Sequence, residues 1–228
     1  MRIVHFSDWH GDLMTLPDAD LYVCTGDMLP NFLEDKKAGP VAAHEVEMQT
    51  GYFDEKGHGY MRTFLGHNKA PVICCRGNHE FIDLAPAFAG GPVFEISLDP
   101  TRTTIVQTAN GPLKLGGMRG VMRYHGSWSD EMSDADLADL VARLPNDLDL
   151  LVTHSPPHGI LDEVNGSFIG STALRSYVAR HDPSLKPLKA HFFGHAHFGR
   201  EHPMKGISRQ FGDTIFSNAA RCYQIIDL

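Results

Sequence analysis

The stretch Val72-Ile73-Cys74-Cys75-Arg76-Gly77-Asn78-His79-Glu80 decides how the rest of the chain is read. Its apolar opening suits a strand covered on both faces, and the glycine and metal-capable residues that follow mark the strand's end. The same pattern recurs elsewhere. Ile3-Val4-His5-Phe6-Ser7 runs into Asp8-Trp9-His10, and Leu21-Tyr22-Val23-Cys24-Thr25 runs into Gly26-Asp27. Leu150-Leu151-Val152-Thr153 leads to His154, and His191-Phe192-Phe193 to Gly194-His195-Ala196-His197. Layered α/β folds bind ligands beyond the carboxyl ends of such strands, so these five ends are expected to converge on one site.

Helices fill the intervals. Residues 133–144 carry a Ser133 cap, acidic residues in the first turn and Leu137, Leu140, Val141 and Leu144 at helical spacing before Pro145. Residues 171–181 repeat the pattern with Ser171 as cap. Residues 44–66 have spaced apolar positions that include Val46, Phe53 and Met61, but three glycines interrupt them. The stretches 93–98, 103–107 and 112–118 read as hairpin strands around Asp99-Pro100 and Asn110-Gly111 turns, and a strand pair, 214–217 with 222–227, closes the chain. Residues 31–60, with Pro30 just before them, read as an insertion or lid in an otherwise single domain, 1–228.

The 228 residues carry a formal net charge of -8 and 14 histidines. Length and composition fit one globular domain and argue against a disordered or coiled-coil chain. No window reaches the roughly 18 apolar residues of a membrane span, and the N-terminus reads as a strand, so a cytoplasmic protein without membrane partners is expected. Four cysteines without a CxxC pair read as buried free thiols. The acidic balance argues against a stable nucleic-acid complex, because phosphate-backbone affinity needs a basic face.

Singly, Asp8-x-His10 and Gly26-Asp27 also mark ordinary turns. Gly77-Asn78-His79-Glu80 is more specific, and His195-x-His197 could face one cation or two. Together these groups supply what a pair of divalent cations about 3.5–4 Å apart requires, namely a bridging carboxylate, neutral imidazoles and an amide oxygen. Nitrogen and oxygen donors without thiolate suit Mn, Fe, Zn or Ni. Such a clamp is well matched to in-line attack on phosphorus.

The ordered blocks Asp8-x-His10, Gly26-Asp27, Gly77-Asn78-His79-Glu80, His154 and Gly194-His195-x-His197 resemble the calcineurin-like metallophosphoesterase superfamily. The short gap from His10 to Gly26, the stretch Thr153-His154-Ser155-Pro156-Pro157-His158-Gly159 and the closing Ser217-Asn218-Ala219 resemble its compact, MPPED-type phosphodiesterase branch. The resemblance implies an α/β fold, a four-layer αββα sandwich of two mixed β-sheets. It implies that Asp8, His10 and His197 hold one metal and Asn78, His154 and His195 a second, with Asp27 bridging both. The nucleophile would be a metal-bridging hydroxide, and His79 would be the catalytic residue, donating to a phosphoryl oxygen or to the leaving alkoxide. Two divalent ions are expected, with Mn the first choice in an assay.

The substrate implied is a small phosphodiester such as a cyclic or other small nucleotide. A phosphomonoesterase or protein phosphatase, a nuclease and a catalytically silent binding scaffold are the alternatives. Arg119, Arg123, His125 and His158 are candidates for substrate binding, each set against a structural role. Glu80 reads as a carboxylate at a helix N-terminus. His5 and His191 read as packed, hydrogen-bonded core residues, and Trp9 as a core residue facing away from the metals. Phe32, Phe53, Tyr60 and Trp128 could meet a nucleobase but read as packing.

Overall fold

A computed structural model describes residues 1–32, 41–124, 126–179, 187–197 and 207–228. The strands are β1 (Arg2–Ser7), β2 (Leu21–Cys24), β3 (Val72–Cys75), β4 (Val93–Ile96), β5 (Thr103–Thr108), β6 (Gly111–Met118), β7 (Val121–Met122), β8 (Glu131–Met132), β9 (Leu150–Thr153), β10 (Glu163–Val164), β11 (Ser167–Phe168), β12 (Ala190–Phe193), β13 (Ile207–Phe211), β14 (Thr214–Asn218) and β15 (Cys222–Asp227). The α-helices are α1 (Ala42–Lys56), α2 (Asp134–Ala142) and α3 (Thr172–Val178).

The strands form two mixed sheets, ordered β15-β1-β2-β3-β4 and β13-β14-β12-β9-β6-β5, with two small ribbons, β7-β8 and β10-β11. In the first sheet β1 to β4 are parallel and β15 is antiparallel to β1. In the second, β6, β9, β12 and β14 are parallel, and β5 and β13 are antiparallel to their neighbours.

Side-chain alternation explains the layering, because successive residues of a strand face opposite ways. Ile3, Leu21, Val23, Ile73 and Cys75 pack inward against Leu115, Leu150, Val152 and Phe192 of the second sheet. Val4, Phe6, Tyr22, Cys24, Val72 and Cys74 face outward, where Phe53 of α1 joins them. On the far side, Met118 and Leu151 pack against Leu137 and Val141 of α2 and Leu174 of α3. Ser133 accepts from the Asp136 amide and Ser171 from the Leu174 amide at the two helix starts. The result is the four-layer αββα sandwich.

Three local expectations are corrected. Residues 93–98 are no hairpin partner of 103–107, because β4 pairs in parallel with β3 in the first sheet while β5 and β6 form the hairpin in the second. Likewise β14 and β15 belong to different sheets, so 214–217 and 222–227 do not pair with each other. In the third, the 44–66 pattern breaks at Gly57 and Gly59 into α1 and a 3-10 turn, Tyr60–Phe64, as its glycines imply, and what differs is the face it buries. Val46 is 40% exposed, whereas Glu45 and Gln49 are buried, so the helix turns a polar pair inward. His5 is buried between the sheets, and His191 is buried on the outer face of the second sheet against Phe193 and Phe216. His5 bonds Ser217 and Thr25, at 2.8 and 2.9 Å, and His191 bonds Thr153 at 2.9 Å. The four cysteines are free, and Trp9 is buried against Phe6.

Candidate active site

The ends of β1, β2, β3, β9 and β12 lie together and bring the sequence-selected side chains to one place. The loops there are tightly interlocked. A side chain at Gly77 would collide with the Asp27 carboxylate, and one at Gly194 with Ser7 Oγ and the Asp8 carboxylate, so only glycine admits these approaches. Asp8, His10, Asp27 and His195 all take left-handed backbone conformations, with φ of 56, 48, 54 and 67°. Non-glycine residues adopt this region sparingly, and it clusters at functional sites.

Three groups of side chains could each hold a metal ion, with their ligand atoms within 4.8 Å of one another: Asp8, His10 and His197; Asp27, His154 and His195; and His10, Asp27 and His79. Asn78 joins the second, its Oδ1 3.2 Å from His154 Nε2. Further separations are 3.4 Å between the Nε2 atoms of His10 and His197, 3.4 Å from His197 to Asp8, and 3.3 Å from His154 to Asp27. Donors about 2.0–2.1 Å from a shared tetrahedral cation lie about 3.4 Å apart, so these distances fit the edges of coordination polyhedra. The donor set of carboxylate, imidazole and amide also fits divalent transition metals.

Outer contacts fix these candidate ligands, as partners do in metal sites. His154 Nδ1 lies 2.6 Å from the Thr25 carbonyl, which points Nε2 at Asp27 and Asn78. Asp8 accepts from Ser7 Oγ at 2.5 Å and from the His195 amide at 3.0 Å. Arg221 donates to the carbonyls of Asp8 and Trp9, both at 3.1 Å, and pairs with Asp12.

Glu80 sits at no helix N-terminus. Its buried carboxylate accepts from the amides of Asp27 (2.8 Å), Met28 (2.5 Å), Leu29 (3.2 Å) and Gly77 (2.7 Å), stitching the loop after β2 to the loop after β3. Burial and the nearby Asp27 charge push it up to about 7, against the pull of those amides. Burial also lowers His10 and His195, each to about 3. Burial opposes charge on His154 as well, but Asp27, Asp8 and the Thr25 carbonyl outweigh it and raise the imidazole to about 10. Asp27 is itself buried, and the adjacent His154, His79 and His10 hold it well below the usual carboxylate range.

His79 stands beside the ligands. Its amide donates to Asp27 Oδ1 at 2.8 Å, and its Nε2 is 3.8 Å from Asp27 Oδ2. Nδ1 is 2.7 Å from Asn31 Oδ1, and the ring packs on Trp128 with centroids 4.0 Å apart. Asn31 and Gln49 carry no sequence mark of a site residue, and Trp128, read as packing or a nucleobase contact, packs on His79. Asn31 lies in the 31–60 segment, but no pattern distinguishes it from a turn residue.

The remaining candidates divide. Arg119 pairs with Asp130 at 3.1 Å and Asp83 at 3.6 Å, beside Arg76, which shares Asp130. Arg123 is exposed, its amide bonded to Met132. His158 lies 3.9 Å from Asp162 and packs on Phe168, away from the ligand set. His125 lies outside the described residues, as do positions 33–40 of the 31–60 segment. Among the described residues no helix is long and apolar enough to cross a membrane.

The chain is similar to several known proteins. The chain is 25% identical over 235 residues to a protein named probable rhamnogalacturonate lyase C of Emericella nidulans, covering 99% of this chain and 20% of that protein. It is 26% identical over 228 residues to UPF0046 protein K07C11.7 of Caenorhabditis elegans, covering 97% of this chain and 70% of that protein. Among solved structures, a Staphylococcus aureus protein described as a 5'-nucleotidase, in complex with alpha-ketoglutarate, superposes with a TM-score of 0.52 at 12% identity. The match covers 99% of this chain and 50% of that one, and at this identity it speaks for the fold alone. The chain thus spans a fifth of the fungal protein and half of the bacterial one. A family model for calcineurin-like phosphoesterases matches residues 1–199, a span that takes in every strand end of the site, and the chain belongs to that family.

Proposed function

We propose that the protein is a dinuclear metal-dependent phosphoesterase whose preferred substrate is a phosphodiester, a cyclic or other small nucleotide being the first choice. The observation that carries this reading is the sharing of Asp27 between two ligand groups, one with His154 and His195 and one with His10 and His79. In the proposed assignment Asp8, His10 and His197 hold one cation, Asn78, His154 and His195 the other, and Asp27 bridges. Two such cations, when bound, lower the pKa of water and neutralise charge gathering on phosphoryl oxygens. Manganese is the first choice for an assay, with iron, zinc and nickel equally suited to the donors.

The chain's own groups supply the rest. Hydrolysis forms a P–O bond to a water oxygen and breaks the ester P–O bond, and the departing alkoxide must collect a proton. His79 presents Nε2 to the cleft while its Nδ1–H donates to Asn31 Oδ1, so Nε2 would take up the proton given up by the attacking water and pass it to the leaving oxygen. Charge favours the diester. Arg76, Arg119 and Arg221, the guanidiniums bonded around these loops, are tied to Asp130, Asp83 and Asp12, which leaves little cationic excess for a monoester dianion among the described residues.

A phosphomonoesterase is the second reading, the reaction named for the structural neighbour that shares this fold. Metal analysis, followed by hydrolysis of matched aryl phosphodiester and monoester substrates with added Mn, separates the two. Hydrolysis of neither by protein carrying two metals per chain refutes both.

A further inference from the structure

Helix α1 buries polar residues where a surface helix normally buries apolar ones, and both reach the loops that carry His79 and its partner. Gln49, at 0% exposure, donates from Nε2 to the His79 carbonyl at 2.7 Å and accepts at Oε1 from the Phe81 amide at 2.8 Å. Its second N–H lies 3.5 Å from Glu45, one turn earlier. The Glu45 carboxylate lies near the Phe32 amide, next to Asn31. The Gln49 side chain therefore spans both sides of the residue before and the residue after Glu80, and Glu45 holds the strand of chain that presents Asn31 to the His79 ring.

We propose that Gln49 is a positioning residue for His79, with Glu45 its support, so that α1 sets the angle at which His79 Nε2 meets the leaving oxygen. The proposal rests on the phosphoesterase reading above. A purely structural amide would need only to satisfy two backbone groups anywhere on the loop. This one engages the carbonyl of His79 itself, while its helical neighbour secures the segment bonded to the same imidazole. The ring is then held at three points: the Gln49 bond to its backbone, Asn31 at Nδ1 and Trp128 on its face. Misplacing a proton donor by about 1 Å is enough to lose about 10²-fold in rate.

The test uses Gln49→Met, which keeps the shape and removes both hydrogen bonds, and Gln49→Glu, which keeps the acceptor for Phe81 and loses the donor. Each is assayed with one phosphodiester that releases an alkyl alcohol and one that releases 4-nitrophenol, a leaving group that needs no proton. The expected result is a kcat loss of about 10²-fold for Gln49→Met with the alkyl leaving group, with KM and metal content unchanged. The nitrophenyl ester should lose no more than about threefold, which is under 1 kcal/mol. Gln49→Glu, whose carboxylate faces the His79 carbonyl and Glu45, should lose at least as much as Gln49→Met with the alkyl leaving group. In a His79→Ala background, adding Gln49→Met should cause no further loss.

In metal-free protein, the His79 ring protons, identified by their absence in His79→Ala, should move in the NMR spectrum of Gln49→Met as the ring leaves its place over Trp128. Equal loss with both esters, additive loss with His79→Ala, or unmoved His79 signals overturns the proposal. If wild-type protein loaded with metal cleaves neither ester, the phosphoesterase reading fails instead, and the NMR arm still decides whether Gln49 places the ring. Should Gln49→Met fail to fold, the Gln49→Glu comparison carries the same arms.

Discussion

Replacing Glu80 by glutamine should damage the site more than any equally small change elsewhere. Each carboxylate oxygen serves two amides, Oε1 those of Met28 and Leu29 and Oε2 those of Asp27 and Gly77. Whichever way the new amide turns, its NH2 faces two N–H donors and leaves both without an acceptor. An orphaned buried donor costs about 1–3 kcal/mol, and the lost bonds are charge-assisted, so Glu80→Gln should destabilise by about 4 kcal/mol.

The freed loop carries Asp27, so Mn affinity should fall about 10–100-fold, the usual effect of removing an outer partner of a metal ligand. Urea unfolding of metal-free wild type and variant, run at pH 8 where the carboxylate is ionised, gives the first quantity. Calorimetric Mn titration gives the second. A loss under about 1 kcal/mol, within reach of an ordinary surface substitution, together with unchanged Mn affinity would refute the stitching role.

Gly77→Ala should abolish metal binding, because its methyl group occupies the place of the Asp27 carboxylate; metal analysis of the purified variant decides. His5 and His191 are neutral and buried, with burial lowering each to about 3, so only the unfolded chain takes up their protons below about pH 6.5. Each therefore contributes stability that is held above about pH 6.5 and falls by about 1.4 kcal/mol per pH unit below it, and His5→Gln should remove that one share from the slope in urea unfolding. In the metal-free protein His154 works the other way. Its raised value means a contribution fully present below about pH 6.5 and lost as pH rises through about 10. Loading metal at pH 8 should expel about one proton from this imidazole, which calorimetry in buffers of different ionisation enthalpy measures; zero net release would contradict the charged His154–Asp27 pair.

The strands bearing the ligands were legible because burial on both faces leaves a continuous apolar run, and the ligand candidates because each follows such a run directly. What escaped has physical causes. The partners of β4 and β15 depend on which sheet a strand enters, and residues 93–96 and 222–227 carry no local mark of that choice. Val46 misled because helical spacing identifies an apolar stripe but not whether the neighbouring loops need hydrogen bonds more than the helix needs apolar burial. Glu80 was assigned to a helix start because a carboxylate after a strand is common there, whereas its partners at 27–29 lie half a hundred residues away in sequence. Asn31, Gln49 and Trp128 act through the side chain they meet, a relation that exists only in three dimensions.

The four left-handed candidate ligands unite these observations. Two residues at i and i+2 on a straight strand are about 6.6 Å apart, too far for one cation to join their side chains directly. Left-handed kinks at Asp8 and His10 and at His195 fold the chain back at the strand ends and let Asp8, His10 and His197 gather within 4.8 Å. Each such residue costs about 1–2 kcal/mol, so the four together reach about 4–8 kcal/mol, comparable with the whole stability of many domains. They persist only if neighbours over-determine them. Those neighbours are visible: Asp8 donates to the Gly26 carbonyl, His10 to that of Asp27, the His195 amide to Asp8, and the Asp27 amide to Glu80. Asp27 stands in this chain as acceptor for His10, as donor to Glu80 and as the carboxylate shared between two ligand groups. Strain at the strand ends and the shared carboxylate are thus one arrangement, in which the backbone is held bent so that the side chains need not move to receive a cation.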